Sequence, residues 1–216
     1  MNKNVYSLVL MDEVVAAVDR MAYEQNTSRS SLINQILAEY LSCPIPETRI
    51  RDIFSAMEEA FSGLGNFQVR LQPSDTMLSI RSALHYPYNP SIRYVLEMFR
   101  DYETEFGELR VSLRTQNQPL VRTLTDFFLL WERLENRWGT PPIPDHIESG
   151  RYARRLRVPK NPPGSSEETA LAISGYIRTF DTALKEYFSA AEEPEVARVQ
   201  LENIYRDYAA HAAILL

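Results

Sequence analysis

Apolar and polar positions change period several times along this chain, and each change marks an element. From Val5 to Leu10, Tyr6, Leu8 and Leu10 alternate with Val5, Ser7 and Val9, the period of a short strand. From Asp12 to Gln25 the period becomes helical, with Val14, Val15, Val18, Met21 and Ala22 on one side and Glu13, Asp19, Arg20 and Glu24 on the other. Asn26 supplies a left-handed stop. Ser28 then caps a second helix whose apolar stripe is Leu32, Ile33, Ile36, Leu37, Tyr40 and Leu41. Ser42-Cys43-Pro44-Ile45-Pro46 ends this region, because each proline disfavours helix in the residue before it, and a domain boundary is expected after residue 43.

Beyond it, Ile50, Ile53, Phe54, Met57 and Phe61 recur at helical spacing until Gly63 and Gly65. Alternation returns at Phe67, Val69 and Leu71, at Leu78 and Ile80, and at Leu109, Val111 and Leu113. Ile92, Tyr94, Leu96 and Met98 allow a further strand or a helix. These runs predict a small antiparallel meander over about residues 66–115, with one buried and one wet face. Pro119 suits the first turn of a helix over about 119–138, whose apolar side is Leu120, Leu124, Phe127, Phe128, Trp131, Leu134 and Trp138. Arg151, Arg154, Arg155, Arg157 and Lys160, with no acidic residue among them, read as a basic, irregular connector. Two helices over about 166–190 and 194–215 close the chain as a hairpin, the first opened by a capping box at Ser165 and Glu168. The fold class expected is therefore α+β: a small N-terminal unit (1–43), then a mostly helical domain (44–216) of unknown role with a small meander and a C-terminal helical hairpin.

Composition adds limits. The 216 residues are 44% apolar and 24% charged, the proportions of a globular protein. A net charge of -6 argues against wholesale coating of nucleic acid but permits a local basic face. The single cysteine, Cys43, excludes an intrachain disulfide, and no apolar run is long enough to span a membrane, so a cytoplasmic protein is expected. His85, His146 and His211 are scattered without metal-ligand spacing, and no phosphate-cradling glycine loop or nucleophile elbow occurs. No enzyme, no cofactor and no metal is expected. Two basic features stand out. The wet face of the meander gathers Arg70, Arg81, Arg93, Arg110 and Arg114, read first as a solvated face paired with Glu97 or Glu108 and second as an anion site. The basic connector, Arg151 to Lys160, reads either as a solvated linker or as an arm adding phosphate contacts.

One short strand and two helices cannot stand alone, because the strand has no partner and so little apolar surface cannot offset the ordering entropy. Two copies paired edge to edge would share a core. The strand Tyr6–Leu10, the acidic start Asp12-Glu13, the turn Arg20-Met21-Ala22 and the run Asn26 to Ile33 resemble the ribbon-helix-helix family (Arc/MetJ/CopG-like) over about the first fifth of the chain. The resemblance implies a homodimer, with higher assembly on DNA open, whose two-stranded ribbon enters the major groove of double-stranded DNA. It implies base-facing positions Val5, Ser7 and Val9, and a phosphate held by Lys3, Ser28, Arg29, Ser30 and Ser31 at the second helix start. The chain departs from the family in offering one hydroxyl between two valines, and valine touches a thymine methyl without hydrogen-bonding a base. The function expected is a transcriptional regulator. The alternative is a protein-interaction module dimerised by the ribbon, antitoxin-like or accessory to plasmid mobilisation, with a protein partner on the C-terminal domain.

Overall fold

The computed structural model describes residues 6–214 except 26, 42–44, 72–73, 88, 102, 140–145, 160–163 and 191–192, with backbone alone at 71 and 146. The stop at Asn26 and the cysteine Cys43 lie outside the described residues. The chain divides into two compact units, residues 1–49 and 50–216.

The first unit holds two helices, α1 (Asp12–Glu24) and α2 (Arg29–Tyr40), and the opening turn of α3 (Pro46–Phe61). Acidic Asp12 and Glu13 sit in the first turn of α1, where they complement the positive end of the helix dipole. Ser28 caps α2, its Oγ accepting from the Ser31 amide at 3.1 Å. The helices meet through Val18, Ala22 and Leu32, with Ile33 packed beside them.

Here the expected architecture is overturned. Tyr6–Leu10 has no regular structure, and the N-terminal unit begins with helices, not a ribbon. A strand exists only beside a hydrogen-bonded neighbour. The chain's sheet is made wholly of residues between 67 and 157 among those described, so nothing pairs with this segment. Tyr6, Leu8 and Leu10, expected to face a core, are exposed.

In the second unit the expected small meander is larger, a six-stranded antiparallel sheet. The strands are β1 (Phe67–Leu71), β2 (Met77–Ala83), β3 (Ser91–Met98), β4 (Glu105–Leu113), β5 (His146–Glu148) and β6 (Arg151–Arg157), in the spatial order β1-β2-β3-β4-β6-β5. The ambiguous run at Ile92–Met98 is thus a strand. Nor are residues 151–157 an irregular connector: they form β6, hydrogen-bonded between β4 and β5, with Gly150 in the left-handed region closing the hairpin, and Lys160 lies outside the described residues. Its inward positions are Tyr152, Arg154 and Leu156, so an arginine occupies a slot where alternation calls for an apolar residue.

Helices α4 (Gln118–Trp138), α5 (Ser166–Ser189) and α6 (Pro194–His211) complete the unit. Asn117 caps α4 through the Leu120 amide, and Ser165 caps α5 through the Glu168 amide. One sheet face, carrying Leu78, Ile80, Ile92, Tyr94, Leu96, Leu109 and Val111, shares a core with the apolar sides of these helices and of α3. Phe180 of α5 is its centre, with ring contacts to Tyr94, Phe127, Phe128, Trp131, Tyr152 and Tyr176. Removing such a ring costs about 3–5 kcal/mol.

Two carboxylates lie inside this core. Glu135 accepts from Tyr152 Oη at 2.7 Å and Tyr176 Oη at 2.6 Å, and its Oε1 stands 3.4 Å from Arg154 Nη1. Asp181 accepts from Ser82 at 3.0 Å, Tyr94 at 2.9 Å and Lys185 at 2.6 Å. Buried carboxylates are tolerated when matched in this way.

Candidate nucleic-acid interface

Among its described residues the N-terminal unit buries Val18, Ala22, Leu32, Ala38 and Ile45, while a larger apolar set faces outward. Tyr6, Leu8, Val9, Leu10 and Met11 are exposed before α1, and Ile36, Leu37, Tyr40 and Leu41 on and after α2. Exposed apolar surface of this extent beside so small a core is unusual for a monomeric unit.

Of the residues expected to face DNA bases, Val5 lies outside the described residues. Ser7 and Val9 are exposed, but no ribbon presents them, so the expected ribbon readout has no counterpart in the chain. Of the expected phosphate ligands, Lys3 also lies outside the described residues. Ser28, Ser30 and Ser31 gather at the start of α2, where the first amides have no acceptor within the helix. The Ser28 hydroxyl already satisfies Ser31, which leaves the amides of Arg29 and Ser30 for an anion. Arg29 is occupied: its Nε and Nη2 each donate to the Asp19 carboxylate at 2.5 Å. That hydrogen bond and the carboxylate's charge raise the guanidinium pKa further, and the fork closes on α1 rather than reaching outward.

The arginines of β6 behave differently from one another. Arg154 points inward against Glu135, with its guanidinium 4.5 Å from the centre of the Tyr176 ring, and cannot touch DNA. Arg155 donates toward Glu108 at 3.0 Å. Arg151 and Arg157 are exposed, and Lys160 lies outside the described residues. The expected accessory phosphate arm therefore shrinks to Arg151 and Arg157, because its other described members are neutralised by carboxylates from α4 and β4, remote in sequence.

On the wet face of the sheet, Arg110 pairs with Glu97 at 2.8 Å and Glu108 at 3.3 Å, as the solvated-face reading expects. Arg114 lies just past the end of β4. Arg70, Arg81 and Arg93 have no carboxylate within 4 Å among the described residues. Sequence reasoning missed Glu135 and Asp181, since a single acid on a helix reads as solvated. The signal available was position: Asp181 falls among the apolar residues Ile177, Phe180 and Leu184.

Among the described residues, no three His, Cys, Asp or Glu side chains are placed to hold a metal ion, and no helix is long and apolar enough to cross a membrane. No family model, curated protein or solved structure matches this sequence.

Proposed function

We propose that this chain is a homodimeric protein that binds double-stranded DNA, acting as a transcriptional regulator in the cytoplasm. The dimer forms through residues 6–41, and the start of α2 holds a backbone phosphate. The observation that carries the reading is the imbalance of the N-terminal unit: a core of three side chains bordered by Ile33, against exposed Tyr6, Leu8, Val9, Leu10, Met11, Ile36, Leu37, Tyr40 and Leu41. A unit of this size cannot offset its ordering entropy without covering that surface. A second copy covers it and brings two α2 starts, with the amides of Arg29 and Ser30 in each, to one DNA molecule.

The test is sedimentation of the full chain across concentration, with titration of a labelled duplex at several salt concentrations. A dimer whose DNA affinity falls as salt rises is expected. A monomer at every concentration, or a dimer with no salt-sensitive binding to any duplex, overturns the proposal. The second reading, a protein-interaction module, is favoured by Arg29 being engaged by Asp19 and by the exposed segment offering Ser7 among apolar neighbours. Dimerisation without DNA binding, with a partner retained by residues 50–216, is its result.

A further inference from the structure

We propose that the wet face of the sheet is a second phosphate-binding surface, carried by Arg70, Arg81, Arg93 and Arg151; this rests on the DNA-binding reading above. The register sets these residues in order. Gln68 stands opposite Arg81, Arg81 opposite Arg93, Arg93 opposite Ser112, and Ser112 opposite Arg151, so one row crosses β1, β2, β3, β4 and β6. The neighbouring row runs Arg70, Ser79, Val95, Arg110 and Ala153. A third row holds Met77, Glu97, Glu108 and Arg155.

The charges on this face do not cancel evenly. Glu97 and Glu108 are held by Arg110 and Arg155. Glu148 of β5 stands opposite Arg151 at the end of the row. Arg70, Arg81, Arg93 and Arg151 are exposed and lack a carboxylate partner among the described residues, in a chain whose net charge is -6. Two of them, Arg81 and Arg93, face each other directly across β2 and β3. Like charges placed directly opposite destabilise a sheet pair, and here the pair is not relieved by a neighbouring acid. Arg93 lies across Ser79, its Nε donating to the hydroxyl at 3.2 Å, which holds its guanidinium in place.

An anion relieves this arrangement, and the extent of the row selects the kind of anion. At the usual strand spacing, Arg81 to Arg151 covers about 14 Å. A single small anion would reach one or two guanidiniums. Duplex DNA carries a phosphate for about every 3.4 Å of helix axis on each strand, so a row of this length spans more than one. Guanidinium forks match phosphate oxygens in geometry as well as charge.

The experiment uses the full chain and a labelled duplex of arbitrary sequence, with affinity measured between about 50 and 200 mM salt. Arg81→Gln with Arg93→Gln should lower the log-log salt slope by about 1.8, at 0.9 for each lost contact. Arg122→Gln with Arg133→Gln removes the same charge from exposed positions of α4 and should leave the slope near that of the unaltered chain. Circular dichroism shows whether each variant folds; replacing the opposed pair should not lower the melting temperature. Equal slopes for the unaltered chain and the β2/β3 variant overturn this inference while the DNA reading stands. Equal losses in both variants overturn it too, since charge alone then explains them. A chain that binds no duplex takes both readings down. Polyglutamate competing better than DNA of equal charge overturns it in favour of an acidic polypeptide.

Discussion

Leu8 gives the sharpest measure of whether two copies of the chain share a core. Within one chain its side chain is 61% exposed, so that fraction of its apolar surface is still available to a partner. Full burial of a leucine is worth about 1.5–3 kcal/mol, so covering the remainder contributes about 1–2 kcal/mol per chain and 2–4 per dimer. Leu8→Ser removes this contribution from both copies without adding charge. The dimer dissociation constant should rise about 30- to 1000-fold, at 1.4 kcal/mol for each factor of ten. Melting temperature measured across a dilution series reads the same quantity, because a dimer-coupled transition moves with concentration. In a monomer the change would fall on a mostly exposed side chain and would leave the melting temperature independent of concentration. Identical sedimentation of Leu8→Ser and the unaltered chain would refute the reasoning.

Ser30→Glu sets a carboxylate where the phosphate is proposed to sit. It should weaken binding to all duplexes alike while α2 keeps or gains helicity, which circular dichroism checks, because acids suit a helix start. Glu135→Gln removes the buried carboxylate facing Arg154 and should cost about 3–5 kcal/mol in urea denaturation. Replacing Glu135 and Arg154 together by leucine should cost less than the sum of Glu135→Leu and Arg154→Leu made singly, as a double-mutant cycle would show. Burial, reinforced by Asp181, holds the Tyr94 hydroxyl protonated well above the ordinary tyrosine range. Burial does the same at Tyr176, where Arg154 opposes the shift and Glu135 adds to it. Their stabilisation is complete below the unfolded pKa near 10 and is lost as pH rises toward the folded values, by about 1.4 kcal/mol per pH unit for each. Denaturant midpoints should fall steeply above about pH 10, and should fall less for Tyr94→Phe.

The helices were legible because their patterns are self-contained. The apolar side from Leu120 to Leu134, with a proline at its start, matches α4, and the capping residues Ser28 and Ser165 stand where α2 and α5 begin. Strands β1, β2 and β4 were legible for the same reason, since each alternates within itself, whereas the β3 run fitted a helix equally well and only its pairing with β2 and β4 decides it. The last hairpin was not. In β6 the inward series Tyr152, Arg154, Leu156 is broken by a charge whose counterpart, Glu135, sits on a helix 19 residues earlier. No local window contains both. The opposite failure occurs at Tyr6–Leu10, where alternation is present but the hydrogen-bonding partner a strand requires is not in the chain. Pattern records which face a residue would prefer; it does not record whether a neighbour exists. The candidate DNA surface follows the same division. The serines at the start of α2 were readable from the sequence, whereas the engagement of Arg29 by Asp19 and the opposition of Arg81 and Arg93 depend on tertiary approach and sheet register.

The Glu135–Arg154 pair also constrains how sequences with this fold can diverge. Either residue changed alone leaves the other's charge in the core without its ionic counterpart, a loss of about 3–5 kcal/mol from the roughly 5–15 kcal/mol of an ordinary domain. Exchange for an apolar pair is tolerable only once both positions have changed. A lineage therefore crosses between the two states by near-simultaneous substitution or from a background stabilised elsewhere beforehand. Descendants of this chain should carry both charges or neither, and the rare sequence with one should show added stability in the surrounding aromatic core.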